Sequence, residues 1–375
     1  MIRIIFLGLV ATVVFLTVFA SAPVAAQQHA SAPAPKPATA SASAPETLVP
    51  DLLSPTPEVQ KAALDKLGKL DKLAKLHIVP RLIKELDNPD FDHYYGAIVA
   101  LGNAGPVALP ALTKVMQSEG GARRRYAAMS IGMMGQKAES AVPVFVTCLS
   151  DKDMDLRLIV VDELPSLGPA AKAAVPTLIT ATRDENVYFR LAAIKALGEI
   201  GPGAEQAVPF LIDALKDDVY GAGDALGGIG VPAVSPLLAV YKTTKDKSLI
   251  DRVASALGKM GPQAAPAVPQ LMEALKDMDT RLGAIFALSS IGPAAKDAVP
   301  ALISIVNDTG EFSTAPPQGY EYTLDKKSGI SNAAEQLLDA FFEPAAADAL
   351  KKIGTPEALA AAKAYEDREA AKKKQ

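Results

Sequence analysis

A proline followed two residues later by leucine or phenylalanine returns at Pro80, Pro110, Pro143, Pro176, Pro209, Pro236, Pro269 and Pro300, at spacings of 30, 33, 33, 33, 27, 33 and 31 residues. A second series, one glycine per unit, runs through Gly105, Gly135, Gly168, Gly201, Gly230, Gly261 and Gly292. Two independent landmarks on one period mean that each unit is one supersecondary element stacked on its neighbours. The text between them also returns: RLIVVDELPSLGPAAKAAVPTLITATRD at 157–184, RLAAIKALGEIGPGAEQAVPFLIDALKD at 190–217 and RLGAIFALSSIGPAAKDAVPALISIVND at 281–308. Apolar residues recur at three and four, as amphipathic helices require, without the alternation of strands. Each unit therefore reads as two helices. The glycine suits a left-handed C-terminal cap on the first, and the proline fits the first turn of the second, where its missing N–H is not needed.

These units resemble HEAT repeats, in particular the short bacterial form named after phycobilisome lyases, with Arg-x-x-Ala-Ala-x-x-Ala-Leu-Gly-x-Ile-Gly in the first helix and Ala-Val-Pro-x-Leu in the second. The resemblance covers roughly residues 55–366. It implies an all-α fold: an α-solenoid of about nine antiparallel helix pairs within 51–366, with first helices on the convex face and second helices on the concave face. Units 55–87 and 331–366 are atypical, as caps are. At about 10 Å per pair the array is roughly 90 Å long.

Two departures break the period. The unit at 218–244 is shortened, has Val219 where the pattern expects arginine, and carries glycines at 221, 223, 227 and 228. At about 1 kcal/mol per helical glycine it reads as a weak or bent point. Between 308 and 330 the repeat is interrupted by TGEFSTAPPQGYEYTLDKKSG, longer than ordinary helix connections. Its Phe312, Tyr320 and Tyr322 favour a binding loop over a spacer, since exposed aromatics favour interfaces.

The N-terminal residues 1–26 place Arg3 before an apolar run, Ile4 to Ala20, and close on small residues. That order predicts a secretory signal cleaved after Ala26; an uncleaved membrane tether through 4–20 is the alternative. Residues 27–50 are Ala-, Pro- and Ser-rich, an extended disordered linker, and 367–375 form a basic tail. The bulk of the chain is thus expected outside the cytoplasm, periplasmic or extracellular, as a monomer.

Composition restricts the chemistry. With 38 Lys+Arg against 42 Asp+Glu there is no global field for nucleic acid. One cysteine, Cys148, excludes an intrachain disulfide, and reads as a small buried hydrophobe in VFVTCLSD. His29, His77 and His93 are followed by Ala30, Ile78 and Tyr94, so the His-Glu pairs by which the HEAT-like deoxyhypusine hydroxylases hold two irons are missing. No metal, cofactor or catalytic site is expected. Gly221-Ala222-Gly223 with Gly227 is misspaced for a dinucleotide loop and follows no strand. Gly68-Lys69 and Gly258-Lys259 lack the rest of a phosphate loop.

Arg124, Arg157, Arg190 and Arg281 each stand eleven residues before a unit glycine, and Asp151 and Asp184 stand six before an arginine. Together they match the structural Asp–Arg ladder of HEAT repeats. Arg123, Arg124 and Arg125 are the one basic cluster, and its second residue already belongs to the ladder. Counting from each second-helix proline, plus-2 and most plus-6 positions are apolar, whereas plus-1 and plus-4 vary: Arg81 and Lys84, Ala111 and Lys114, Thr177 and Thr180, Phe210 and Asp213, Gln270 and Glu273. The drift from basic to acidic suits an extended polar protein partner. The reading is a non-enzymatic, exported protein-interaction scaffold; the alternative is an enzyme-accessory or lyase-like HEAT protein.

Overall fold

Helix pairs follow one another with the period of the sequence. The computed structural model of the chain describes residues 45–118, 120–307 and 330–372, the side chains of 45–46 and 330–340 excepted. The expected signal segment 1–26, the linker up to residue 44, the interruption at 308–329 with Phe312, Tyr320 and Tyr322, and the last three residues lie outside this range.

A 3₁₀ turn (Pro45–Leu48) and α1 (Val49–Leu52) lead into α2 (Pro57–Lys69) and α3 (Lys72–Glu85). Val49 and Leu52 are buried, so packing begins just ahead of residue 51. The pairs that follow are α4 (Phe91–Ala104) with α5 (Leu109–Met116), α6 (Ala122–Gly132) with α7 (Val142–Cys148), and α8 (Met154–Glu163) with α9 (Val175–Ala181). Then come α10 (Val187–Ile200) with α11 (Val208–Lys216), α12 (Ala222–Ile229) with α13 (Val231–Thr243), and α14 (Lys247–Lys259) with α15 (Val268–Ala274). The series ends in α16 (Met278–Ile291) with α17 (Val299–Asn307), and α18 (Ile330–Ile353) with α19 (Pro356–Lys372). Among the described residues there is no strand. Each first helix packs on the first helix of the next unit and on the second helix of the unit before it, the arrangement of a helical solenoid.

The punctuation has physical causes. Asp90, Asp153, Asn186, Asp246 and Asp277 cap first helices α4, α8, α10, α14 and α16, each side chain accepting a first-turn amide. All seven unit glycines have positive φ. The caps that end α4, α10, α12 and α16, and Gly168 in the link after α8, have ψ between -153° and -132°. They therefore occupy not the expected left-handed helical region, which asparagine tolerates, but an extended mirror region open essentially to glycine alone. A 3₁₀ link then runs to a Val-Pro or Leu-Pro step whose proline is at the second helical position in α5, α7, α9, α11, α15 and α17. Pro80 and Pro236 differ: they lie inside α3 and α13. In the shortened unit the 3₁₀ link is missing, Pro232 takes the first turn, and Pro236 falls deeper in the continuous helix.

The plus-2 side chains Leu82, Leu112, Phe145, Leu178, Leu211, Leu271 and Leu302 are all 0% exposed; burying such a side chain stabilises by roughly 1.5–3 kcal/mol. In the shortened unit Leu237, one residue earlier than the pattern, takes that place. A second glycine, three before the cap, lets first helices approach closely. A Cβ at Gly198 of α10 would sit 2.6 Å from the Cα of Ala225 in α12, and one at Gly258 of α14 would sit 3.0 Å from the Cα of Ala287 in α16. Gly228 likewise meets the backbone of Gly198, its carbonyl carbon 2.9 Å from an added Cβ, and Gly227 meets Lys259. Two of the four glycines of this unit, Gly227 and Gly228, thus make room for neighbouring helices, whereas an added Cβ at Gly221 or Gly223 would meet only ordinary contacts.

Candidate functional site

The repeated arginines form a ladder, but between units rather than within them. Arg124 of α6 donates from Nε to the Met116 carbonyl at 2.9 Å, and its Nη2 reaches Asp151 at 2.5 Å, 27 residues on. Arg157 of α8 donates to the Leu149 carbonyl at 3.0 Å and pairs with Asp184. In both cases the guanidinium ties the end of the preceding second helix to the loop after the following one. Arg281 repeats the first half, donating to Leu275 O at 2.7 Å. Arg190 bends to the Asp184 carbonyl at 2.6 Å, and the next unit has Val219 in the arginine position. The six-residue Asp–Arg spacing read from the sequence is therefore the spacing of two successive rungs, not of one pair.

Planar guanidinium groups also cover aromatic rings here: Arg157 lies 3.9 Å from the Phe189 centroid and Arg281 5.1 Å from that of Phe342. The hydrogen bond from Arg124 holds the Asp151 carboxyl below its ordinary range. At Asp184 burial pushes the other way, and the Arg157 bond with the Asn186 amide outweighs it, so this carboxyl too is lowered.

The basic cluster is consumed by such pairs. Arg123 meets Asp87 at 3.3 Å, Arg124 is the ladder rung, and Arg125 binds Asp153 through two donors at 2.9 and 3.0 Å and Asp155 at 2.8 Å. The carboxylates of Asp87, Asp151, Asp153 and Asp155 thus neutralise the cluster at 123–125. Cys148 is buried, and burial pushes its thiol up, as a packed hydrophobe. His93 faces Glu85 at 3.1 Å. Among the described residues no single helix is long and apolar enough to cross a membrane; the segment 4–20 lies outside them.

The exposed second-helix positions make the candidate face. Arg81, Lys84, Lys114, Thr147, Thr180, Asp213 and Glu273 are exposed at the plus-1 or plus-4 register, while plus-2 and plus-6 neighbours such as Leu82, Leu86, Leu112 and Met116 are buried. Phe210 and Gln270 are half-buried, and the Arg183 guanidinium lies 5.6 Å from the Phe210 centroid. Asp213 and Glu273 each carry an i+3 lysine, Lys216 and Lys276, at 2.9 Å. The acidic half of the face is therefore partly neutralised, which the count by register missed because it sampled only plus-1 and plus-4.

A family model described as HEAT repeats matches residues 79–164 and 142–226, and one described as PBS lyase HEAT-like repeat matches 251–277. No curated protein sequence matches the chain. Among solved structures it is similar to one in which Kap95p binding induces the switch loops of RanGDP to adopt the GTP-bound conformation, at 13% identity over 84% of this chain and 51% of that one, with a TM-score of 0.47. It is also similar to the karyopherin Kap121p bound to the extreme C-terminus of the phosphatase Cdc14p, at 13% identity over 82% of this chain and 40% of that one, TM-score 0.46. An engineered protein matches at 22% identity over 58% of this chain and 96% of its own length, TM-score 0.30. The chain thus spans about half or less of the first two proteins it matches. By the family matches, it carries HEAT repeats over residues 79–226 and a HEAT-like repeat over 251–277.

Proposed function

We propose that the chain is a non-enzymatic protein-interaction scaffold whose partner lies along the second helices α3 to α15. One observation carries this reading: at a fixed register, side chains of changing character from Lys84 and Lys114 through Thr180 to Asp213 and Glu273 are exposed, on helices whose other positions are buried in the same way in unit after unit. Repetition without chemical uniformity is how a solenoid presents an extended surface to a polypeptide. The order of residues 1–26 supports export, with the array free after cleavage at Ala26 or tethered through 4–20; the proposal takes the array to act as a monomer.

The test is a photo-crosslinking amino acid placed at Lys84, Lys114, Thr180, Asp213 or Glu273 in intact cells, with Lys195 and Ser255 on the first helices as controls. A single protein captured from the second-helix positions and not from the controls supports the scaffold; capture only from the controls overturns the assignment of the face. The N-terminal peptide of the same material, read by mass spectrometry, starts at Gln27 if the signal is cleaved and at Met1 if it is a tether.

A further inference from the structure

The seam between first helices follows a rule: the glycine three before one cap receives the backbone of the next unit around the position five before its own cap. That latter position is Ala100, Ser130, Ala196, Ala225, Ala256 and Ala287, all buried. In α8 alone among these units it is a glutamate, Glu163. Its Cβ is 2.9 Å from where a Cβ on Gly132 of α6 would be, and its carboxyl lies directly over that glycine. The same helix also replaces the seam glycine with Pro165, and ends in a 3₁₀ segment from Leu164 to Ala174. An ionisable group thus occupies a position built elsewhere from the smallest side chains.

We propose that the α6–α8 seam is a protonation-controlled joint in the array, closed over Gly132 while Glu163 is neutral and opened when it ionises. Burial, with Asp162 beside it, raises this carboxyl to about 7, against the pull of Lys195. The groups facing it are few. From α6 comes the backbone at Gly132, from its own helix Asp162, and from α10 Lys195, itself 3.6 Å from Asp162 and 3.6 Å from Glu199. The Ser166 hydroxyl, 3.1 Å from Gly132 O and 2.6 Å from Glu163 O, ties the two helix ends by backbone contacts that protonation does not change. An ionised Glu163 gains nothing from the apolar seam and is drawn outward to Lys195, the one cation among these neighbours.

The test is hydrogen–deuterium exchange by mass spectrometry on the full chain at pH 6 and pH 8, corrected for intrinsic exchange. In an opened seam the carboxyl titrates at its ordinary value, so opening rises with pH until the closed-state value is passed. The expected result is roughly tenfold more frequent opening of peptides covering 125–135 and 156–166 at pH 8, with no such change in α12. Glu163→Gln, permanently neutral, and Glu163→Ala, the residue found at this register elsewhere, are each expected to remove that pH response. The proposal is overturned if both variants keep the wild-type response, or if the change is spread evenly over all units. Should one variant not fold, the other decides.

Discussion

Glycine does two different jobs in each repeat, and substitution separates them. At Gly68 in α2 nothing lies within 4 Å of an added Cβ, so Gly68→Ala is expected to stabilise by about 0.5–1 kcal/mol through helix propensity. At Gly198 the same change drives a methyl into the Cα of Ala225, 2.6 Å away, and is expected to destabilise by about 1–3 kcal/mol by forcing α10 and α12 apart. Urea unfolding followed by circular dichroism reads both signs. Arginines divide in the same way. Arg124, 8% exposed against Asp151 at 18%, bridges two units, whereas Arg123 and Asp87 are 39% and 57% exposed. Arg124→Ala leaves a shielded carboxylate and an orphaned Met116 carbonyl, and is expected to destabilise by about 3 kcal/mol; Arg123→Ala is expected to change stability by less than about 1 kcal/mol. Equal effects would remove the ladder from the account of stability.

At the scale of the element, helix boundaries depend on whether the 3₁₀ link is present. In α7 Pro143 sits where its missing N–H has no partner to lose, while Pro236, inside α13, interrupts the hydrogen bonding of a continuous helix. Pro143→Ala is therefore expected to be nearly neutral, and Pro236→Ala to stabilise by about 1 kcal/mol or more. Unfolding midpoints of the two variants check this, and a destabilised Pro236→Ala would show that the neighbours have been shaped to the bend. These elements also show what was legible in the sequence. Helix type, pairing order and the glycine caps followed from period and punctuation, because both are local. The Pro236 register was misread because a six-residue deletion removes the 3₁₀ link and moves the helix start without moving the motif, so that Leu237 and not Leu238 is fully buried. The ladder partners were misread because Arg124–Asp151 and Asp151–Arg157 both recur with the period, and only geometry distinguishes a 27-residue contact from a six-residue spacing. The second-helix face was legible as exposed, but the lysines that neutralise Asp213 and Glu273 were not, since both stand seven residues after the unit proline, a position outside the plus-1 and plus-4 count.

Over the array as a whole, the carboxylates pull stability in opposite directions with pH. Asp151 and Asp184 have folded values below the ordinary one near 3.8, so the stability they contribute is present above that pH and is lost as pH falls through their lowered values. Glu163 is raised from 4.5 to about 7, so the unfolded chain releases its proton first as pH rises, and stability falls between about 4.5 and 7. At about 1.4 kcal/mol per unit this loss amounts to about 3 kcal/mol at most, an upper bound because an opened seam relieves it. The two slopes oppose each other, the first acting on the acid side of about 3.8 and the second between about 4.5 and 7. A repeat array is held by nearest-neighbour contacts, so the loss that Glu163 causes belongs to the units of α6 and α8; at the far end, where Arg368 links α19 to the Val306 carbonyl at 2.6 Å and to Glu343 at 3.0 Å, burial raises the Glu343 carboxyl as well and adds a separate loss of the same sign. Urea unfolding from pH 3 to 8 is expected to show both limbs in the wild type, and in Glu163→Gln a markedly smaller fall between pH 5 and 7. If Glu163→Gln kept the whole wild-type fall between pH 5 and 7, another buried acid would have to supply it, and Asp251 of α14, raised by burial beside Asp279 and Asp277, is the next to replace.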